Sequence, residues 1–347
     1  MDIQNLVKAL SVYDVRKRIL APERYVKYDL FQNCFPELFA SGGPFGNPAA
    51  GPATALMQKL LAGENISDDE MRSILGFTGA ELDAAMKAAD PVVKPVPEKL
   101  VLMTYDDATI DHYERACPVL EQYGGHANLM ICEMEKGMRG ENFADKSKFM
   151  TWEQIKELSD RGHEICNHSW HHSSEFSRKG PEFVLQEARG IEEKCREYGI
   201  PNPITFGYPI GRCTPEVEET LRAEGYLWGR GDYREVSPEL KGNTLYDPHI
   251  DTPMCIPGVM FMDESSIISA LNQARDGRVA LTVYHDVAEQ FGPMSYEDQV
   301  KCIYDNGGRC VTFRELMEYI DPNKAYEYTH TAAPLPDLGP GGPPPAE

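Results

Sequence analysis

Residues 99–132 read KLVLMTYDDATIDHYERACPVLEQYGGHANLMIC. KLVLMTY (99–105) is a short apolar run between polar residues, the pattern of a strand covered on both faces. Apolar residues at helical spacing follow over 111–123, and HANLMIC (126–132) is a second buried strand. Strand, helix and strand in this order imply a βαβ unit with parallel strands. The alternation continues outward. A helix is expected over 151–162, a strand over 163–168, a helix over 181–199 and a strand over 204–209. Beyond these come a helix over 214–225, strands over 226–230 and 257–261, a helix near 264–275 and a strand over 278–285. A helix near 295–305, a strand over 309–313 and a last helix to Ile320 complete the series. About seven such units suit a barrel better than an open sheet.

The flanks differ in composition. Residues 1–95 carry apolar helical spacing from Ile3 to Leu20, a Gly/Pro-rich loop at 41–53 and a short helix near 55–62. Two capping-box starts follow at Ser67–Glu70 and Thr78–Glu81. Pro91, Pro95 and Pro97 form a stiff linker. The expected division is a helical extension over 1–95, a barrel over 96–325 and a Pro/Gly-rich, disordered tail over 326–347. The extension carries no catalytic constellation and is expected to pack on a barrel, shaping assembly or a cleft.

The chain of 347 residues is 41% hydrophobic and 26% charged, so it can build a full core. Lys and Arg number 34 against 55 Asp and Glu, a net charge of −21. Such a charge repels phosphate backbones and argues against nucleic acid as a partner. No run of about 18 apolar residues is present, so no membrane partner is expected. Nine cysteines without a C-x-x-C pair suggest neither a disulfide frame nor a cysteine zinc site. With no apolar leader at the start, the expected compartment is the cytoplasm. A homo-oligomer is left open.

The chemistry concentrates at strand ends. Four of the nine histidines lie within HEICNHSWHH (163–172). If the chain turned helical after its strand, His168 and His172, four apart, would share one face and could grip a divalent cation. Asp106 and Asp107 end the first strand, where one carboxylate could ligate a metal while the other worked as a base. His285 ends another apolar strand. Asp107, His168, His172 and His285 thus fall on one expected rim, the C-terminal rim that carries chemistry in β/α barrels.

These residues resemble the NodB-homology polysaccharide deacetylases, carbohydrate esterase family four, over residues 98–320. The family motif T-F-D-D-G appears as Thr104-Tyr105-Asp106-Asp107-Ala108. H-[ST]-x-x-H appears as His168-Ser169-Trp170-His171-His172. R-x-P-Y-G appears as Gly207-Tyr208-Pro209-Ile210-Gly211, and L-x-H as Val283-Tyr284-His285. The resemblance implies a distorted (β/α)7-type barrel and a hydrolase of amide bonds that removes acetyl groups from N-acetylated amino sugars or related glycans. It implies one divalent ion on Asp107, His168 and His172, zinc first, with cobalt, nickel or iron as alternatives. It implies Asp106 as general base and His285 as general acid. The backbone N–H of Ile210 would form the oxyanion site, with Tyr208, Pro209 and Tyr105 on the oxyanion or substrate side. The expected partner is an oligosaccharide or small-molecule substrate.

The sequence departs from the family in two motifs. Gly207 stands where the base-pairing arginine is expected, leaving Arg230 or Arg212 to replace it. The fourth motif is not recognisable, although Trp228 and Asp232 lie in its stretch. A cytoplasmic amidase on a cyclic imide or allantoin-like substrate, an O-acetyl esterase, or a non-catalytic carbohydrate-binding relic are the competing readings. His163 and His171 remain unassigned.

Overall fold

The structure, a computed structural model, describes residues 67–75, 77–135, 142–231, 245–249, 251–258, 260–261, 263–287 and 293–330. The expected elements at 3–20, 41–53 and 55–62, residue Asp232 and the tail from 331 lie outside these residues. The chain divides into two compact units, Met1–Pro91 with Asn323–Glu347, and Val92–Pro322. In the first, α1 (Asp68–Leu75) and α2 (Gly79–Ala89) begin where the capping residues place them. Thr78 and Glu81 cap reciprocally, each side chain on the other's backbone N–H.

The second unit is the barrel. Its parallel strands are β1 (Leu100–Asp106), β2 (Asn128–Ile131), β3 (Glu164–Asn167), β4 (Thr205–Gly207) and β5 (Trp228–Gly231). A two-residue strand β6 (Leu245–Tyr246) precedes β7 (Ile256–Pro257), β8 (Val279–Tyr284) and β9 (Arg309–Val311). The order is β6-β8-β1-β2-β3-β4-β5-β7, in which every pairing but β6 with β8 is parallel. Seven parallel strands from β8 round to β7 thus make the distorted (β/α)7-type wall, left open between β6 and β7. Strand β9 joins β1 at Leu100–Leu102, the half of its edge that β2 leaves free by pairing at Thr104–Asp106.

Helices cover the wall because their apolar faces match it. On α3 (Cys117–Glu121), Cys117 and Leu120 are buried; on α4 (Trp152–Asp160), Trp152, Ile155 and Leu158 are. On α5 (Pro181–Glu197) the buried positions 184, 187, 188, 191 and 195 recur at about 3.6 residues. Next come α6 (Pro215–Ala223), α7 (Glu264–Gln273), α8 (Tyr296–Asp305) and α9 (Phe313–Leu316); the last helix, α10 (Pro322–His330), falls from Asn323 onward in the first unit. Three expectations need correction. The helix expected over 111–123 opens as a π-helical turn, His112–Ala116, before α3. The strand expected over 257–261 stops at Pro257, which has no N–H to extend a ladder. The strand expected to Phe313 ends at Val311, since Thr312 turns to cap α9. Because the wall is parallel, Asp106, Asn167, Gly207, Gly231 and Tyr284 all end on one rim.

Candidate active site

Strand alternation decides the first motif. Tyr105 and Asp106 point to opposite sides of β1. Asp106 is 3% exposed, and its Oδ1 accepts a hydrogen bond from Arg230 Nη2 at 2.5 Å. Its Oδ2 lies 3.6 Å from His168 Nε2 and 3.7 Å from His285 Nε2. Burial works to raise the Asp106 carboxyl, but the Arg230 guanidinium, then His168 and His285, outweigh it and hold the group well below the usual carboxylate range. Asp106 is therefore ionised at neutral pH.

Arg230 also explains the missing third-motif arginine. A Cβ on Gly207 would sit 3.1 Å from Arg230 Nη2, 3.0 Å from His168 Nδ1 and 2.9 Å from Met130 Sδ. The guanidinium reaches Asp106 from β5 and fills the space in which a side chain on β4 would stand. The guanidinium on Asp106 is that of Arg230.

Burial pushes His168 down to about 4, against the pull of Asp106, so its imidazole is neutral at pH 7. Its Nδ1 lies 2.7 Å from the Gly207 carbonyl, which only an N–H can satisfy. The Nε2 lone pair is then left buried with no hydrogen-bond partner among the described residues, facing Asp106 at 3.6 Å and Asp107 Oδ1 at 3.7 Å. His172 Nε2 lies 3.8 Å from the same Asp107 oxygen. Ligand atoms of Asp107, His168 and His172 all fall within 4.8 Å of one another. Two ligands about 2.1 Å from one tetrahedral ion stand about 3.4 Å apart. Acceptors too distant to bond each other, with an orphaned lone pair among them, fit a shared divalent cation.

The two histidines do not meet as i and i+4 of a helix. Residues 168–172 form a tight loop in which Ser169 (φ 63°) and His172 (φ 51°) are left-handed. Asn167 Oδ1 accepts from Ser169 N at 2.9 Å, and Ser169 Oγ from His172 N at 3.0 Å. The buried Glu187 carboxylate accepts from His171 N at 2.8 Å and pairs with His171 Nδ1 at 2.7 Å. His171 is thereby a loop anchor. His163 sits at the opposite end of β3, its Nδ1 accepting from Ala127 N and its Nε2 on Glu121. Of the seven left-handed non-glycine residues described, five border this site: Asp107, Ala108, Ser169, His172 and Ile210. Such strain persists only where surrounding structure enforces it, and it clusters at functional sites.

Ile210, in the 208–211 turn, has φ 59° and is 43% exposed. Three expected neighbours on the substrate side need correction. Tyr105 is wholly buried, with its hydroxyl 2.7 Å from that of Tyr296. Tyr208 is wholly buried and donates to the Met254 carbonyl at 2.6 Å. Pro209 is buried as well. Each shapes the rim from behind and offers no free polar group to a substrate. Sequence reading missed Glu187, and also Cys132, whose buried thiol donates to Asp107 Oδ1 at 3.7 Å. Neither stands in a recognisable motif.

The fold and these side chains define a carboxylate–histidine site on a β/α barrel rim. Residues 93–228 match the polysaccharide deacetylase family model, the family that the motifs resemble. The poly-β-1,6-N-acetyl-D-glucosamine N-deacetylase of Escherichia coli K12 is 30% identical over 167 residues, 38% of this chain and 25% of that protein. The peptidoglycan-N-acetylmuramic acid deacetylase PdaC of Bacillus subtilis strain 168 is 21% identical over 299 residues, 84% of this chain and 54% of that protein. The chain thus spans between a quarter and about half of these relatives' lengths. A chitin deacetylase structure from Colletotrichum lindemuthianum overlaps 67% of this chain and 96% of its own, at 16% identity and a TM-score of 0.46. Among the described residues no helix is long and apolar enough to cross a membrane.

Proposed function

We propose that this chain is a metal-dependent hydrolase that removes acetyl groups from N-acetylated amino sugars. The observation that carries the reading is the orphaned Nε2 of His168 beside Asp107 and His172. These three residues would hold one divalent ion, zinc by preference, which supplies a Lewis acid for the acetyl carbonyl and eases deprotonation of water. The two deacetylase relatives, both named for N-acetylated sugar polymers, support an oligosaccharide substrate.

The chain's own groups divide the reaction between them. Asp106 accepts the proton of the attacking water at its carboxylate, while Arg230 fixes the other oxygen and keeps the group ionised. Water adds to the acetyl carbon, and the Ile210 N–H would donate to the oxyanion that develops. His285 Nε2, 3.7 Å from Asp106 Oδ2, passes a proton to the sugar nitrogen as the C–N bond breaks. Acetate and a free amine result. The test is acetate release from chito-oligomers, free N-acetylglucosamine, acetylated xylan and small cyclic amides, before and after chelation. The proposal expects release from the N-acetylated sugars, lost on chelation and restored by zinc. Ring opening of cyclic amides without acetate, or turnover indifferent to chelation, would overturn it.

A further inference from the structure

His285 is half exposed, and its Nε2 lies 3.7 Å from Asp106 Oδ2. With the fourth family motif unrecognisable, the ring needs another source of order. The turn after β8 supplies one through its backbone. His112, wholly buried in the π-helical turn after β1, has its Nε2 on the carbonyl oxygen of His285. Asp111 Oδ2 accepts from the N–H of Val287 at 2.5 Å. Asp111 Oδ1 accepts from the Thr109 hydroxyl at 2.5 Å, and that hydroxyl lies 3.0 Å from His112 Nε2.

The tautomer of His112 follows from these partners. A carbonyl can only accept, so Nε2 must carry the hydrogen. Nδ1 is buried with no partner among the described residues, so nothing there calls for a second hydrogen. The ring donates through Nε2–H and is held edge-on to Tyr105 with centroids 5.4 Å apart, and Tyr105 stacks on Tyr284 at 5.4 Å. The π-helical turn and the end of β8 are thereby packed and hydrogen-bonded to each other. Single π-helical turns are frequent at functional sites.

We infer that His112 and Asp111 are positioning residues for His285, gripping the carbonyl of residue 285 and the N–H of residue 287 so that the ring stays beside Asp106. The inference rests on the reading of His285 as general acid. A misplacement of about 1 Å costs about 100-fold in rate. His112→Leu, which keeps an apolar volume but donates nothing, should lower kcat on N-acetyl chito-oligomers by about 10- to 100-fold, with KM nearly unchanged. Turnover of 4-nitrophenyl acetate, whose phenolate leaves unprotonated, should fall by less than about threefold. His112→Gln, whose amide can donate from nearly the same place, should recover most of the loss. An unchanged kcat on the amide in His112→Leu, equal losses on amide and ester, or no recovery in His112→Gln would overturn the inference.

A readout without turnover covers the case in which His112→Leu fails to fold. Long-range ¹H–¹⁵N spectra of the unaltered protein should show His112 as the Nε2–H tautomer with a slowly exchanging proton. An Nδ1–H tautomer or a freely exchanging proton overturns the clamp. If the unaltered protein cleaves neither substrate, the functional reading fails, and the tautomer still decides whether the turn is gripped.

Discussion

Removing Arg230 should do more damage to folding than most single changes in this barrel. Asp106 and Arg230 are 3% and 5% exposed and joined at 2.5 Å. Breaking a buried pair by deleting one partner costs about 3–5 kcal/mol, because an uncompensated charge stays behind. Burial is the largest influence on Asp106, so without the guanidinium its carboxyl should move up toward neutrality. In Arg230→Met the melting temperature should fall by about 10 °C, since a domain of this size shifts about 2–4 °C per kcal/mol. Adding Asp106→Asn removes the stranded charge and should recover about half of that loss. Differential scanning calorimetry of the two single variants and the double variant closes the cycle. Restoring the family's arginine as Gly207→Arg with Arg230→Gly should recover little, since Met130 and His168 still crowd position 207. A fall below about 2 °C in Arg230→Met, or additive losses in the double variant, would refute the picture of a buried charge held by one arginine.

Two further predictions concern the backbone and pH. Ile210 pays for a left-handed β-branched residue, so Ile210→Gly should keep activity within about threefold and raise stability by up to about 1 kcal/mol, measured by denaturant melts. Ile210→Pro removes the N–H and should cost about 10²–10³ in kcat; an active Ile210→Pro would exclude the oxyanion assignment. Burial pushes the Asp251 carboxyl up to about 8, above its unfolded value. The folded state then binds the extra proton, so its contribution is full below the ordinary carboxyl range and is lost as pH rises toward 8. Stability should fall by up to about 1.4 kcal/mol per pH unit in that window, and Asp251→Asn should flatten the slope. Melting curves of equal slope in both proteins would refute it.

The βαβ unit at 99–132 was legible because buried parallel strands leave continuous apolar runs, and their polar endings marked the rim at Asp106, His168 and His285. Two kinds of information were not. Loop conformation was one: His168 and His172 converge through left-handed Ser169 and His172 and a buried anchor, Glu187, none of which follows from i, i+4 spacing. Side-chain direction near strand ends was the other. Tyr105 looked like a rim residue beside two aspartates, yet alternation turns it into the packing against α8. Arg230 was one of two arginines in reach by sequence, and only the room freed at Gly207 selects it. The pair β6–β8 was unreadable because two residues carry no period.

The direct test of the central claim is metal content. Protein stripped with chelator and reloaded with zinc should bind about one ion per chain by elemental analysis. His172→Ala should retain its fold and bind at least about 100-fold more weakly, since even outer partners of a ligand cost about 10- to 100-fold. Full occupancy in His172→Ala, or no ion held by the unaltered protein in excess zinc, would contradict the account.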